Sequence, residues 1–206
     1  MLPGVGSRKA SGRTAALGVL ALGLAFVTVR GRGRRADDRL FAGINRGMQT
    51  PALDRILPSV TELGSLWASI AAASAIAGRG KRREAADALG AAVATWLAGQ
   101  GLKRVFNRLR PYQVEGHEHR LLIARPSGAS WPSSHPAVLL TFVTVAGRDL
   151  GLGRGARTGL TCLAGLIGFS RVYLGVHYPA DVAGGLLLGR AMADAWSGAV
   201  SPRVLD

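Results

Sequence analysis

An all-α fold, a polytopic membrane bundle of six helices, is what the sequence predicts, and three observations predict it. The apolar residues fall into six blocks approaching the length of a membrane-spanning helix, about 20 residues. Clusters of Arg separate those blocks. Finally, the chain of 206 residues is 48% hydrophobic but only 6% aromatic, and carries 29 Gly, a mixture suited to close helix–helix contact. Charged residues make up 18%, against roughly a quarter in an ordinary soluble domain. With 26 Lys and Arg against 12 Asp and Glu, the formal net charge is +14. A disordered basic tail is excluded, because such a segment is poor in apolar residues. The length fits one domain.

The first block, Thr14 to Val29, lies between Arg13 and Arg30. Arg8, Lys9 and Arg13 precede it as in a signal peptide, but no small-x-small cleavage site follows, so an uncleaved anchor is expected. Residues 1–35 are therefore read as a basic N-terminus and first span, 36–200 as the functional domain and 201–206 as a tail. Between Arg30 and Arg55, the pattern Leu40, Phe41, Ile44, Leu53 predicts a short interfacial helix. The second block, Leu57 to Gly78, contains one charge, Glu62, read either as an intramembrane carboxylate or as an interfacial residue without a role. Asp87 alone interrupts the third, Ala85 to Leu102. The fourth lies within the uncharged stretch from Pro126 to Gly147, divided by His135. The fifth, Thr158 to Ser170, holds the single cysteine, Cys162, which reads as packing; the sixth, Tyr178 to Trp196, contains Asp181, Arg190 and Asp194. Polar residues inside these last blocks must face the bundle interior or lie near the interfaces. Lys and Arg are nearly balanced between the two sides of such a serpentine, so charge alone assigns no sidedness.

The polar residues at the block ends carry the chemistry. Lys103 ends the third block, with Arg110-Pro111 beyond it. Pro132-Ser133-Ser134-His135 opens the fourth, Ser170-Arg171 ends the fifth, and His177 and Asp181 open the sixth. In a six-helix serpentine all of these fall on one face. Three cations, two imidazoles and a carboxylate at a membrane surface suit an anionic group presented by a lipid. Arg110 and Arg171 can fork onto phosphate oxygens, and Lys103 adds a movable charge. Ser133 and Ser134, just before a helix start, can aim hydroxyls and backbone N–H groups at the same oxygens. Asp181, one turn beyond His177, can hold one imidazole nitrogen and leave the other as a nucleophile. His135, with no nearby carboxylate in sequence, is left as general acid for the leaving oxygen.

These residues resemble the three-part signature of the type 2 phosphatidic acid phosphatase superfamily: Lys-x6-Arg-Pro, Pro-Ser-Gly-His and Ser-Arg-x5-His-x3-Asp. Here it reads Lys103-x6-Arg110-Pro111, Pro132-Ser133-Ser134-His135 and Ser170-Arg171-x5-His177-x3-Asp181. The one departure is Ser134, which stands where the signature has Gly. The resemblance implies an all-helical fold, a phosphohistidine intermediate on His177, an acid at His135, and no metal or other cofactor. It implies a lipid phosphate or lipid diphosphate as substrate, with the site on the outer face of the cell membrane. Small bacterial members of this kind include undecaprenyl diphosphate, phosphatidylglycerophosphate and polyprenyl-phosphoribose phosphatases.

Plainer readings stand beside these. His117, Glu118 and His119 have weak metal-ligand spacing and read as polar loop. The Arg/Gly run at 30–35 reads as an anchor for lipid headgroups and not as a nucleic-acid arm. The alternatives for the whole chain are a non-catalytic membrane protein that binds acidic lipid, and a soluble acid phosphatase or vanadium haloperoxidase relative.

Overall fold

The computed structural model describes residues 5–115 and 119–199, with side chains from residue 12 onward. Every regular element among them is helical: α1 (Val5–Ala25), α2 (Arg34–Asn45), α3 (Pro51–Val60), α4 (Leu66–Gly78), α5 (Arg82–Phe106), α6 (Ser134–Asp149), α7 (Arg154–Tyr173) and α8 (Pro179–Ala199).

At the centre stands α6, whose residues Pro136 to Val143 and Val145 to Gly147 are all buried. A helix apolar on every side needs neighbours on every side, and α5, α7, α8 and α4 supply them. The approach of α8 is close because Gly189 lacks a Cβ: one placed there would lie 2.5 Å from the carbonyl oxygen of Ala137. Thr141 on α6 ties the three central helices together. Its hydroxyl accepts from Thr95 of α5 at 3.0 Å and lies 2.9 Å from the carbonyl oxygen of Gly189 on α8.

Helix α1 lies along α8, and Arg13 pairs with Asp194 at 3.2 Å. Its other side leaves Val19, Leu20, Leu22, Phe26 and Val27 exposed. The helix passes into a π turn over Phe26–Arg30 before the chain turns into α2. The stretch Gly12–Arg30 is the one single helix long and apolar enough to cross a membrane among the described residues, and 17% of that window is buried. The remaining long helices carry charges inside them or at their ends, as the sequence blocks foretold.

Three expectations are corrected. The second apolar block is not one straight helix: α3 and α4 meet at a 63° bend through a 3-10 turn, Thr61–Gly64. The cause is local, since Ser65 caps α4 by accepting from the backbone N–H of Ala68 at 3.1 Å, starting a new helix. Glu62 lies exposed in that turn, at the junction of the two helices. Instead of one short helix between Arg30 and Arg55 there are two, because Thr50 caps α3 and Pro51 occupies its first turn. Cys162 is exposed on α7, because the packed positions of that helix, Ala164, Ile167 and Gly168, fall on its other face. Of the polar triplet at 117–119, His117 and Glu118 lie outside the described residues, as do residues 201–206.

Candidate active site

The site forms where α5 ends, α6 begins, α7 ends and α8 begins. Each junction has a local cause. Asn107 adopts a left-handed conformation, φ 41°, which stops α5 just past Lys103. Pro136 stands in the first turn of α6. Gly175, at φ +85°, turns the chain from α7 into the His177 segment, and a Cβ there would run into the carbonyl of Arg120. Pro179 starts α8.

His177 is 2% exposed and is the most enclosed of the imidazoles in the site. Its Nδ1 lies 3.3 Å from Oδ2 of Asp181, and its Nε2 lies 3.2 Å from NH1 of Arg110. The tautomer that suits both contacts carries its proton on Nδ1 and accepts from Arg110 on Nε2. Burial, followed by the positive charges of Arg110, Lys103 and Arg171, pushes the imidazole well below the usual histidine range. It is therefore neutral, with a lone pair directed into the site. Oδ2 of Asp181 also accepts from the backbone N–H of Tyr178 at 2.9 Å.

Arg110 is nearly fully buried, and its donors are already committed. Nε donates to Gly128 O at 2.9 Å, NH1 to Val176 O at 3.0 Å, and NH2 to Ser127 O at 3.2 Å and Ala129 O at 3.4 Å. Arg110 braces the 127–129 loop and brings its charge to Nε2 of His177. Arg171 keeps more of its capacity: NH1 donates to Thr61 at 3.2 Å, while Nε is buried without a partner among the described residues.

One donor of Ser133 is likewise committed. Its backbone N–H donates to the carbonyl of Asp181 at 2.9 Å, so only its hydroxyl remains for a ligand. The hydroxyls of Ser133 and Ser134 are both buried without a protein partner among the described residues. Opposite Ser134, which stands in place of Gly, α5 presents Gly99, where a Cβ would make only ordinary contact with its Oγ at 3.6 Å. Lys103, Ser134 and His135 are only half-buried and form the accessible side of the site. Arg171, His177, Lys103 and Arg110 all lie close enough to His135 to set the electrostatic field at its ring. A Cβ on Gly64, at the α3–α4 bend, would lie 2.9 Å from Cβ of His135, so the bend packs directly on it.

All eight residues singled out in the sequence are brought together. Two others in the cluster had no signal in the one-dimensional pattern. Arg108 donates to Asp181 and to Asp37 of α2, two residues before Arg110 and hidden in the variable part of the signature. Asp37 reads in sequence as one more charge in a basic run, and only its place with Phe41 and Asn45 on the buried stripe of α2 marks it.

A helical bundle that gathers three cations, two imidazoles and a carboxylate at one end is built for phosphoryl chemistry on an anionic substrate. The chain belongs to the PAP2 superfamily, whose family model matches residues 84–203. It is a membrane protein and a phosphoric ester hydrolase. Among solved structures it is similar to a transmembrane PAP2-type phosphatidylglycerolphosphate phosphatase from Bacillus subtilis, with a TM-score of 0.72 and 25% identity, over 90% of this chain and 94% of that one. It is also similar to LpxE of Aquifex aeolicus, with a TM-score of 0.67 and 28% identity over 80% and 93% of the two chains. Decaprenylphosphoryl-5-phosphoribose phosphatase of Mycolicibacterium smegmatis is 30% identical over 131 residues, 64% of this chain and 68% of that protein. The putative undecaprenyl-diphosphatase YbjG of Escherichia coli is 47% identical over 60 residues, 29% of each chain.

Proposed function

We propose that this protein removes a phosphate from a lipid phosphate or lipid diphosphate by nucleophilic attack of His177. The observation that carries the reading is the arrangement of His177, with Asp181 on one ring nitrogen and a cation on the other. Nε2 forms a bond to phosphorus as the bond to the leaving oxygen breaks, and His135 gives that oxygen its proton. Water, deprotonated by the same imidazole, then cleaves the phosphohistidine and releases phosphate. Asp181 balances the imidazolium charge that develops on His177. Lys103 and Arg171 meet the equatorial oxygens, together with the hydroxyls of Ser133 and Ser134. NH1 of Arg110 transfers from Nε2 to a phosphoryl oxygen as the substrate enters.

A lipid substrate is supported by the relatives and by an apolar groove of about 320 Å³ between α4, α6 and α7, lined by Leu63, Phe142 and Leu163. Its Leu63 end adjoins Gly64, which packs on His135. In this reading α1, the bent pair α3–α4, α5, α6, α7 and α8 are the six spans of a multi-pass protein, α2 lies at the interface, and the site opens on the outer face of the cell membrane. The deciding assay is phosphate release across lipid monophosphates and diphosphates in detergent, with His177→Ala as control. Release from at least one substrate, abolished in the variant, is expected; release from none overturns the reading.

The positive charges of Lys103, Arg110 and Arg171 do what a divalent cation would do for the transferring group. Activity should therefore survive EDTA, and vanadate, which adopts the five-coordinate shape of that group, should inhibit. Loss of activity in EDTA that a divalent ion restores would overturn metal independence.

A further inference from the structure

We propose that Arg108 and Asp37 are positioning residues for the reaction, forming a bridge from α2 that holds Asp181 in place for His177. The bridge rests on the proposed phosphatase reaction, but the two can fail separately in the experiment described here.

Arg108 is 7% exposed, yet it stands at one of the unspecified positions between Lys103 and Arg110. Its NH1 donates to Oδ1 of Asp181 at 2.8 Å and its NH2 to Oδ2 of Asp37 at 2.6 Å. The guanidinium lies over the ring of Tyr178, 4.1 Å from its centroid. Asp37 completes the bridge, since its Oδ1 accepts the backbone N–H of Ala180 at 2.9 Å. The two oxygens of Asp181 therefore have separate tasks. Oδ1 is taken by Arg108, and Oδ2 faces His177 and the N–H of Tyr178, with the Ser130 side chain a further donor to the carboxylate.

That division has a chemical consequence. A fully buried carboxylate with one oxygen unpaired rotates or takes up a proton, and a protonated carboxyl no longer serves as a full-charge acceptor for Nδ1–H. Arg108 gives Oδ1 of Asp181 a charged partner and fixes the carboxylate's plane. Taken alone, the same guanidinium would also cancel the negative charge that the imidazolium needs. Asp37 prevents this: the set Asp37, Arg108 and Asp181 carries one net negative charge, which is what faces His177 as it becomes positive. Asp37 lies on α2, outside residues 84–203, so the bridge recruits an element beyond the family-matched segment.

The test compares Arg108→Gln, Arg108→Lys and Asp37→Asn with the unmodified protein, alone and combined with Asp181→Asn. Steady-state kinetics are read beside the Nδ1–H proton resonance of His177, whose position reports how strongly Asp181 accepts it beside the Ser130 backbone. Arg108→Gln should lower kcat about 100-fold with KM within about threefold, and Arg108→Lys should recover part of the loss. In the Asp181→Asn background the same change should cost less than about threefold, because the group it positions is gone. Asp37→Asn should lower kcat about tenfold, again with little change in KM. The resonance should move upfield in Arg108→Gln, and by less in Asp37→Asn, as the bond from Nδ1–H to Asp181 weakens. Losses that multiply with Asp181→Asn, a rise in KM with kcat retained, or an unchanged resonance would overturn the proposal. If Arg108→Gln does not fold, Asp37→Asn and Arg108→Lys decide the matter by the same criteria. If the unmodified protein releases no phosphate, the phosphatase reaction fails while the resonance still judges the bridge.

Discussion

The two histidines of the site differ in burial and in partners, and that difference makes their proposed roles separable. His177 is enclosed between Asp181 and Arg110, whereas His135 is half-buried and, among the described residues, makes no side-chain hydrogen bond. An acid matters most when the leaving oxygen is strongly basic. His135→Ala should therefore cost about 10²–10⁴-fold on a lipid monophosphate, and distinctly less on a diphosphate or an activated aryl phosphate. His177→Ala should abolish turnover of all three, while Asp181→Asn leaves a residual rate. Phosphate release by each variant on each substrate decides it; survival of His177→Ala on the activated ester, with His135→Ala dead on everything, would reverse the roles. The depressed basicity of His177 has its own readout. A pKa lowered by burial and by three cations means that the ring stays neutral as pH falls through the ordinary histidine value. Its ring nitrogen shifts should hold constant from about pH 8 to about pH 5.5 in the ligand-free protein. A titration centred near about 6.5 would show that the charges around it are not felt.

At the scale of the helices, glycine decides how near α8 comes to α6. A Cβ at Gly185 would run into the carbonyl of Ser133, which is rigid backbone next to the site, while one at Gly159 on α7 meets nothing within 4 Å. Gly185→Ala should therefore destabilise by about 1–3 kcal/mol through overpacking and lower activity with it. Gly159→Ala should leave activity unchanged and hold or raise the melting temperature, since Ala is the better helix former. Thermal unfolding in detergent with a parallel rate measurement checks both; equal effects at the two positions would remove glycine packing as the cause. The same helices show what the sequence can and cannot reveal. Five of the six apolar blocks correspond to single long helices because charged residues mark their ends, and all eight expected site residues stand at or beside those ends. The bend after Thr61 was hidden, since the apolar run continues through it and only the Ser65 cap interrupts it. The pairing of Asp37 with Arg108 was hidden for another reason: it joins residues far apart in the chain through tertiary contact alone. The uncommitted hydroxyl of Ser133 and the crowded state of Arg110 were equally illegible, because composition says which groups can donate and not which have already done so.

For the molecule as a whole, sidedness is the property that the charge distribution leaves to experiment. Reporter fusions after Asp206 and within the 115–120 loop should report opposite compartments, with the loop outside. A cytoplasmic loop would invert the arrangement and exclude substrates confined to the outer leaflet. The bundle is also polar at its other end. Asp87, fully buried, accepts from Arg148 at 2.7 Å and from the indole N–H of Trp196 at 2.8 Å. At 1.5 Å per residue, α5 separates Asp87 from Lys103 by about 24 Å along its axis. A bilayer's hydrocarbon core is about 30 Å thick. These two polar layers thus stand closer together than a bilayer's hydrocarbon core is thick, so in the proposed orientation a phosphate reaching His177 descends below the plane of its neighbours' headgroups.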